Sequence, residues 1–190
     1  MRLLILAALA SALASGQEFK LGSKVGDFTL TDLAGGAVPW SALRGSTTAI
    51  LFISTQCPVS NDYNERMARI HADYSARGVK FLFVNANRNE PAAEVERHAK
   101  DNGFAFPVYK DSGNVLADRF GATVTPETFV LDSEGILRYR GSVDDARNPA
   151  RVTSHSLRGA LDAVLAGRAV KSPETKSFGC TIKRVEKKPS

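Results

Sequence analysis

The sequence predicts an α/β domain in which a central mixed sheet is flanked by helices. Residues 48–54 (Thr-Ala-Ile-Leu-Phe-Ile-Ser) and 79–85 (Val-Lys-Phe-Leu-Phe-Val-Asn) are continuous apolar runs of strand length, as expected of strands covered on both faces. Between them Val59, Tyr63, Met67, Ile70 and Tyr74 recur every three or four residues and trace one amphipathic helix that ends near Gly78. Farther on, residues 128–132 and 136–139 flank Ser133-Glu-Gly135, a short Gly-containing turn that makes them an antiparallel hairpin.

The remaining elements fit the same scheme. A strand-forming segment, residues 27–33, precedes the first apolar run. A second helix opens at Pro91, a residue suited to a first helical turn, and runs with Ala92, Val95 and Ala99 inward until Asn102-Gly103 stops it. Leu157, Leu161, Val164 and Leu165 mark a last helix. The expected order is strand, helix, strand, helix, two antiparallel strands, helix.

The chain has 190 residues, 43% hydrophobic and 24% charged, which suits one domain that folds without staples. Ten Phe against eight Pro argue against disorder. No apolar run approaches the roughly 18 residues needed to cross a bilayer. Met1 and Arg2 precede an apolar stretch, residues 3–14, interrupted only by Ser11 and closing on Ala12-Leu13-Ala14. This reads as a signal peptide over residues 1–14, with a periplasmic or secreted product beginning near Ser15. The absence of a Cys just after it speaks against a lipoprotein anchor. The folded domain is expected over 15–168, followed by a basic tail over 169–190.

The net charge is +5. Lys183, Arg184, Lys187 and Lys188, less Glu186, supply +3 of it, so the body is close to neutral. A nucleic-acid groove would need that basicity on the folded surface with aromatics between, so nucleic acid is not expected as a partner. The tail is expected to be solvated. Nothing in the sequence specifies an oligomer.

Cys57 falls three residues after an apolar strand and immediately before Pro58, which places it at the N-cap of the long helix. Unpaired N–H groups and the positive end of the helix dipole favour a sulfur anion there over a neutral thiol. A thiolate is the form that attacks disulfides or peroxides. The plainer reading makes Cys57 a small buried apolar residue or half of an inert bridge. Ser60 stands at the third helical position, where its N–H can reach the Cys57 sulfur and its hydroxyl can add a second donor.

The only other cysteine is Cys180, beyond the last helix. It is the fourteenth residue beyond Ala166; at about 3.5 Å a residue that stretch reaches farther than the roughly 40 Å width of such a domain. Reach therefore neither forbids nor demands pairing. An even cysteine count in an exported chain favours a Cys57–Cys180 bridge over two free thiols. Such a bridge closes a loop worth about 4 to 5 kcal/mol in the chain-entropy model, so a structural and a cycling bridge both stay open.

Four motifs carry a family resemblance: Gly26-Asp-Phe-Thr-Leu-Thr-Asp-Leu-Ala-Gly35, Leu43-Arg-Gly45, Phe52-Ile-Ser-Thr-Gln-Cys-Pro58 and Val124-Thr-Pro-Glu-Thr-Phe-Val-Leu-Asp132. Over about residues 22–166 the chain resembles the redoxin branch of the thioredoxin-like superfamily, which includes alkyl hydroperoxide reductase and thiol-specific antioxidant relatives. The resemblance implies a thioredoxin-like fold with an N-terminal redoxin extension and a C-terminal tail. It also implies a thiol–disulfide oxidoreductase acting on protein or peptide thiols and disulfides. Where a thioredoxin carries Cys-x-x-Cys this chain reads Cys57-Pro-Val-Ser60, so Ser60 can stabilise an anion but cannot release a mixed disulfide, and Cys180 is the candidate resolving thiol. Pro126 matches the proline that such proteins hold cis beside the reactive sulfur, leaving the Thr125 backbone to pair with an extended substrate.

The alternatives are a thiol peroxidase and a non-enzymatic redox sensor whose tail toggles between docked and free forms. Ser54 matches the hydroxyl that a peroxiredoxin places three residues before its Cys. That family's motif proline corresponds to Ile50, however, and its arginine falls at Pro126, leaving Arg119, Arg140 or Arg147 to reach peroxide from elsewhere. Copper-delivering relatives have a second cysteine where this chain has Asn61, with His155 as the candidate distant ligand. His71 is about 21 Å along the helix from Cys57, too far to be its base, and His98 is expected on an exposed face. No cofactor motif or zinc-ligand spacing is present, so neither cofactor nor metal is expected. The polar run Asn85-Ala-Asn-Arg-Asn-Glu90 lines either the site or a helix-opening loop.

Overall fold

The computed structural model describes residues 18–186; the expected signal peptide lies outside the described residues. Strands β1 (Thr29–Asp32) and β2 (Ala37–Pro39) form an N-terminal hairpin, followed by the short helix α1 (Trp40–Leu43). The first apolar run becomes β3 (Thr47–Ile53), buried along its whole length. Helices α2 (Pro58–Asp62) and α3 (Asn64–Ser75) lead to β4 (Val79–Asn85), and α4 (Ala92–Asp101) to β5 (Val108–Lys110). Helix α5 (Val115–Phe120), β6 (Val124–Thr125), β7 (Glu127–Leu131), β8 (Leu137–Gly141) and α6 (Ser156–Leu165) complete the domain, and β9 (Cys180–Thr181) lies in the tail.

Seven strands form one mixed sheet in the order β2-β1-β5-β4-β3-β7-β8. Strand β3 is central, parallel to β4 and antiparallel to β7. Its side chains alternate between two cores, as the strand period requires. Ile50 and Phe52 join Trp40, Phe120 and Phe129 on one face, while Ala49, Leu51 and Ile53 join Met67, Ile70, Phe83 and Leu161 on the other. The hydrophobic core therefore fixes the end of β3, and with it Cys57, from both sides.

Three departures from the sequence reading bear on the fold around Cys57. The single long helix after Cys57 is broken at Tyr63 (φ −93°, ψ −7°), whose hydroxyl is tied to Asp144 Oδ1 at 2.7 Å and to the Ala146 carbonyl at 3.0 Å. Tyr63 is at once the C-cap of α2 and the N-cap of α3, with its ring buried in the core. Second, β5 and α5 stand between α4 and the hairpin, and were not anticipated because three-residue strands and six-residue helices are shorter than a readable periodicity.

Third, the tail through Glu186 is docked where a solvated segment was expected. Strand β9 pairs antiparallel with β6, and Ile182 is 3% exposed in the core beside Phe19 and Ala122. Lys183 N–H donates to Asn87 Oδ1 at 2.8 Å, Val185 N–H to Asn114 Oδ1 at 2.7 Å, and Arg184 Nε to Asp118 Oδ1 at 2.8 Å. Upstream, Thr175 and Pro173 exchange backbone bonds with Arg140 at the β8 edge. An apolar residue inside a basic stretch is enough to seat it when a core edge is open nearby.

Candidate functional site

Cys57 is the N-cap of α2, in extended conformation (φ −86°, ψ 114°), with Pro58 at the first helical position. Ser60 N–H donates to the Cys57 sulfur at 3.3 Å. This is the capping bond expected from the sequence, with sulfur in the place of a capping oxygen. The Ser60 hydroxyl, expected as a second donor to sulfur, instead accepts Ser54 N–H at 3.1 Å and braces the turn from behind.

The Ser54 hydroxyl is likewise engaged within the turn. Its Oγ accepts Cys57 N–H at 3.0 Å and donates to Glu90 Oε1 at 2.5 Å. Glu90, 2% exposed, gathers the whole turn: Thr55 N–H reaches Oε2 at 2.8 Å, Gln56 N–H reaches Oε1 at 3.4 Å, and the Asn85 amide donates to Oε2. Beneath it Lys110 Nζ donates to Asn85 Oδ1 at 2.6 Å and to the Glu90 carbonyl at 2.7 Å. Burial pushes the Lys110 ammonium pKa down, opposed by the charges of Glu90, Asp111 and Glu94. A buried carboxylate survives only when its lone pairs are filled, and here they are filled by the Thr55 and Gln56 N–H groups, the Ser54 hydroxyl and the Asn85 amide. Glu90 was missed as an individual site residue. The polar run 85–90 was its one signal, and the structure places that run behind the cysteine turn.

Cys57 is 2% exposed and forms a disulfide with Cys180, with Cα atoms 5.8 Å apart across a sequence separation of 123. Its sulfur also lies 3.4 Å from the Thr125 carbonyl oxygen. Thr125 pairs with Cys180 in the β6–β9 register, and the Thr125–Pro126 peptide is cis. Glu127 Oε2 accepts Thr123 N–H at 2.8 Å and Val124 N–H at 3.3 Å, which holds this loop against the sulfur. Cys57, Ser60, Ser54, Pro126 and Cys180 thus converge at one end of the sheet. The backbone edge expected to receive a substrate is occupied by the chain's own tail.

The other candidates are engaged elsewhere. Arg119 donates to the Asp27 carbonyl at 2.6 Å and lies over the Phe19 ring; Arg140 pairs with Glu18 and Glu174; Arg147 pairs with Asp62. Asn61 donates to the Thr55 carbonyl at 2.9 Å and faces His98 Nε2 at 3.0 Å, so His98 is half-buried against α2 and not on an exposed face. Burial lowers its imidazole pKa. His155 is the exposed N-cap of α6, and its side chain makes no capping bond.

Comparison with known proteins gives the family and the fold. The model of the AhpC/TSA family matches residues 21–140, which leaves Cys180 and the tail outside the matched segment. A protein of Halalkalibacterium halodurans named thiol-disulfide oxidoreductase ResA is 30% identical over 144 residues, covering 71% of this chain and 81% of that one. The crystal structure of a hypothetical protein from Sinorhizobium meliloti superposes with a TM-score of 0.80 at 34% identity, over 89% of this chain and 97% of that one. A secreted disulfide oxidoreductase of Mycobacterium tuberculosis shares the fold at 20% identity, with a TM-score of 0.56 over 72% of this chain and 95% of that one. The chain belongs to the AhpC/TSA family and is a redoxin of the thioredoxin-like superfamily.

Proposed function

We propose that Cys57 is the attacking thiol of this thiol–disulfide oxidoreductase and that Cys180, carried on the tail, is its resolving thiol. The observation that carries the reading is the Ser60 N–H aimed at the Cys57 sulfur while Cys180 stands bonded on the other side. In the dithiol form the Cys57 thiolate attacks one sulfur of a substrate disulfide, and the other sulfur leaves with the electron pair and takes a proton from solvent. The Cys180 thiolate then attacks Cys57 Sγ, which reforms the internal disulfide and expels the second substrate thiol. The substrate has gained two electrons and the enzyme dithiol has lost two; an external dithiol restores it, and the reverse sequence oxidises a substrate dithiol. Ser54 and Ser60 hold the turn, and Pro126 sets the loop that faces the sulfur.

The substrates are protein or peptide thiols and disulfides, and the compartment is periplasmic or secreted, where a bridge between the chain's two cysteines persists. The apolar stretch at 3–14 supports export. The division is signal peptide 1–14, redoxin domain 15–168 and tail 169–190. Among the described residues no helix is long and apolar enough to cross a membrane. Peroxide is a poorer substrate on this reading, because the Ser54 hydroxyl is already committed to Glu90 and to the Cys57 amide.

Mixing the reduced protein with a peptide disulfide tests the assignment. Wild type is expected to release peptide thiol and recover the internal bridge, whereas Cys180→Ser accumulates a Cys57–peptide adduct detectable by mass. No adduct in either protein, or consumption of hydrogen peroxide outpacing exchange by orders of magnitude, overturns it.

A further inference from the structure

The tail does more than deliver a thiol: it lies in the site as an extended peptide. Residues 180–182 run antiparallel to 123–125, with Thr125 opposite Cys180, Val124 opposite Thr181, and Ile182 N–H donating to the Thr123 carbonyl at 3.0 Å. Phe178 stacks edge-on against Tyr63 with ring centroids 6.2 Å apart, and Ile182 fills a buried apolar position. Between these anchors the fit tightens to one residue. A Cβ on Gly179 would stand 1.9 Å from the Thr125 carbonyl oxygen and 2.7 Å from its carbon, and Gly179 has φ +155°. Only glycine passes there. Because the sulfur fixes the register, any cysteine bonded to Cys57 in this orientation puts its preceding residue against the same carbonyl.

We infer that residues 177–182 are a tethered surrogate substrate, and that the site selects extended peptides in which glycine immediately precedes the reactive cysteine, with an aromatic residue two before and a branched apolar residue two after. This rests on the proposed role of Cys57 and extends it to substrate choice. The tail competes with substrate for the β6 edge, and its ties at Pro173–Thr175 and at Ile182–Val185 return it after each exchange.

The test uses the full chain carrying Cys180→Ser, so that Cys57 is free. The probe is the heptapeptide Ser-Phe-Gly-Cys-Thr-Ile-Lys with its cysteine disulfide-bonded to a coloured aromatic thiol. Attack of the Cys57 thiolate on the peptide sulfur forms the Cys57–peptide disulfide and breaks the peptide–aryl disulfide, and the aryl thiolate leaves with the electron pair and is counted by absorbance. The same peptide with alanine for the glycine is expected to react at least tenfold more slowly, and a ratio under fivefold overturns the selectivity. Gly179→Ala added to Cys180→Ser should expel the chain's own tail and speed the glycine peptide at least threefold while preserving the peptide ratio. An unchanged or lower rate overturns the surrogate role. The symmetrical aromatic disulfide, which has no strand to offer, separates the two readings: if it too fails to modify Cys57, the proposed nucleophile and this inference both fall. If it modifies Cys57 while the peptides are not distinguished, only this inference falls.

Discussion

At the residue scale, the turn that carries Cys57 is held by the carboxylate of Glu90. Glu90 accepts hydrogen bonds from Ser54, Thr55, Gln56 and Asn85, so the turn carrying Cys57 is built on one buried charge. Replacing it with glutamine turns one acceptor oxygen into a donor facing donors. Charged hydrogen bonds contribute about 1.5–3 kcal/mol each and a stranded donor costs roughly 1–3 kcal/mol. Glu90→Gln should therefore lower the unfolding free energy by about 2–3 kcal/mol in urea titrations and slow exchange at Cys57; an unchanged midpoint would mean that the turn holds itself. Cys57, Ser60 and Pro126 were legible in the sequence because the first two follow from the rules of a helix start and the third from a motif. The role of Glu90 was not, since it depends on the ends of β3 and β4 lying side by side, a fact of register that no local spacing encodes. The Ser54 hydroxyl was legible as a neighbour of Cys57, but its direction was set by that same carboxylate.

At the element scale, two contacts govern the cysteine's surroundings: α4 against α2, and β9 against β6. His98 on α4 faces Asn61 on α2, and burial holds its pKa below the ordinary 6.5 despite the carboxylates of Glu90, Asp101 and Glu94. The unfolded chain therefore takes up a proton more readily. The stability from neutral His98 is complete above about pH 6.5 and is lost as pH falls through the lower folded value. His71, also lowered by burial, adds to the loss. The urea midpoint should fall between pH 7.5 and pH 5, and His98→Gln should remove part of that fall; a variant with the full wild-type slope would refute the assignment to this contact. For the tail, Ile182→Ala should cost about 2–5 kcal/mol, the usual range for truncating a buried aliphatic side chain, and should slow closure of the internal disulfide after reduction. Equal closure rates would show that the core contact does not position Cys180. Strands β3 and β4 were readable because long, doubly covered strands leave continuous apolar runs. Strand β9 was not, because two residues leave no periodicity and the basic residues after Cys180 read as a solvated end.

At the scale of the whole molecule, the domain is organised without the bridge. Both cores stand on β3, and the disulfide ties the tail across the end of the sheet over 123 residues. A closed loop of that length is worth about 4–5 kcal/mol in the chain-entropy model, against an observed general range of about 0–5. Cys180→Ser, or reduction of wild type, should thus lower stability by about 3–5 kcal/mol in urea while the far-ultraviolet circular dichroism stays that of the native sheet; loss of that spectrum would make the bridge a condition of folding instead of a tether. The α/β class, the central strands and the place of Cys57 just past the end of β3 followed from pattern alone, whereas β5, α5 and the docking of the tail did not, the last because it required knowing which core edge was open to Ile182. The proposed exchange chemistry depends on Cys57 being an anion when the bridge is open. Its rate of alkylation by iodoacetamide as a function of pH, in the Cys180→Ser protein, reads that state directly. An apparent pKa at least one unit below the value of about 8.5 for a free cysteine is expected, and a midpoint at or above about 8.5 would contradict the thiolate assignment.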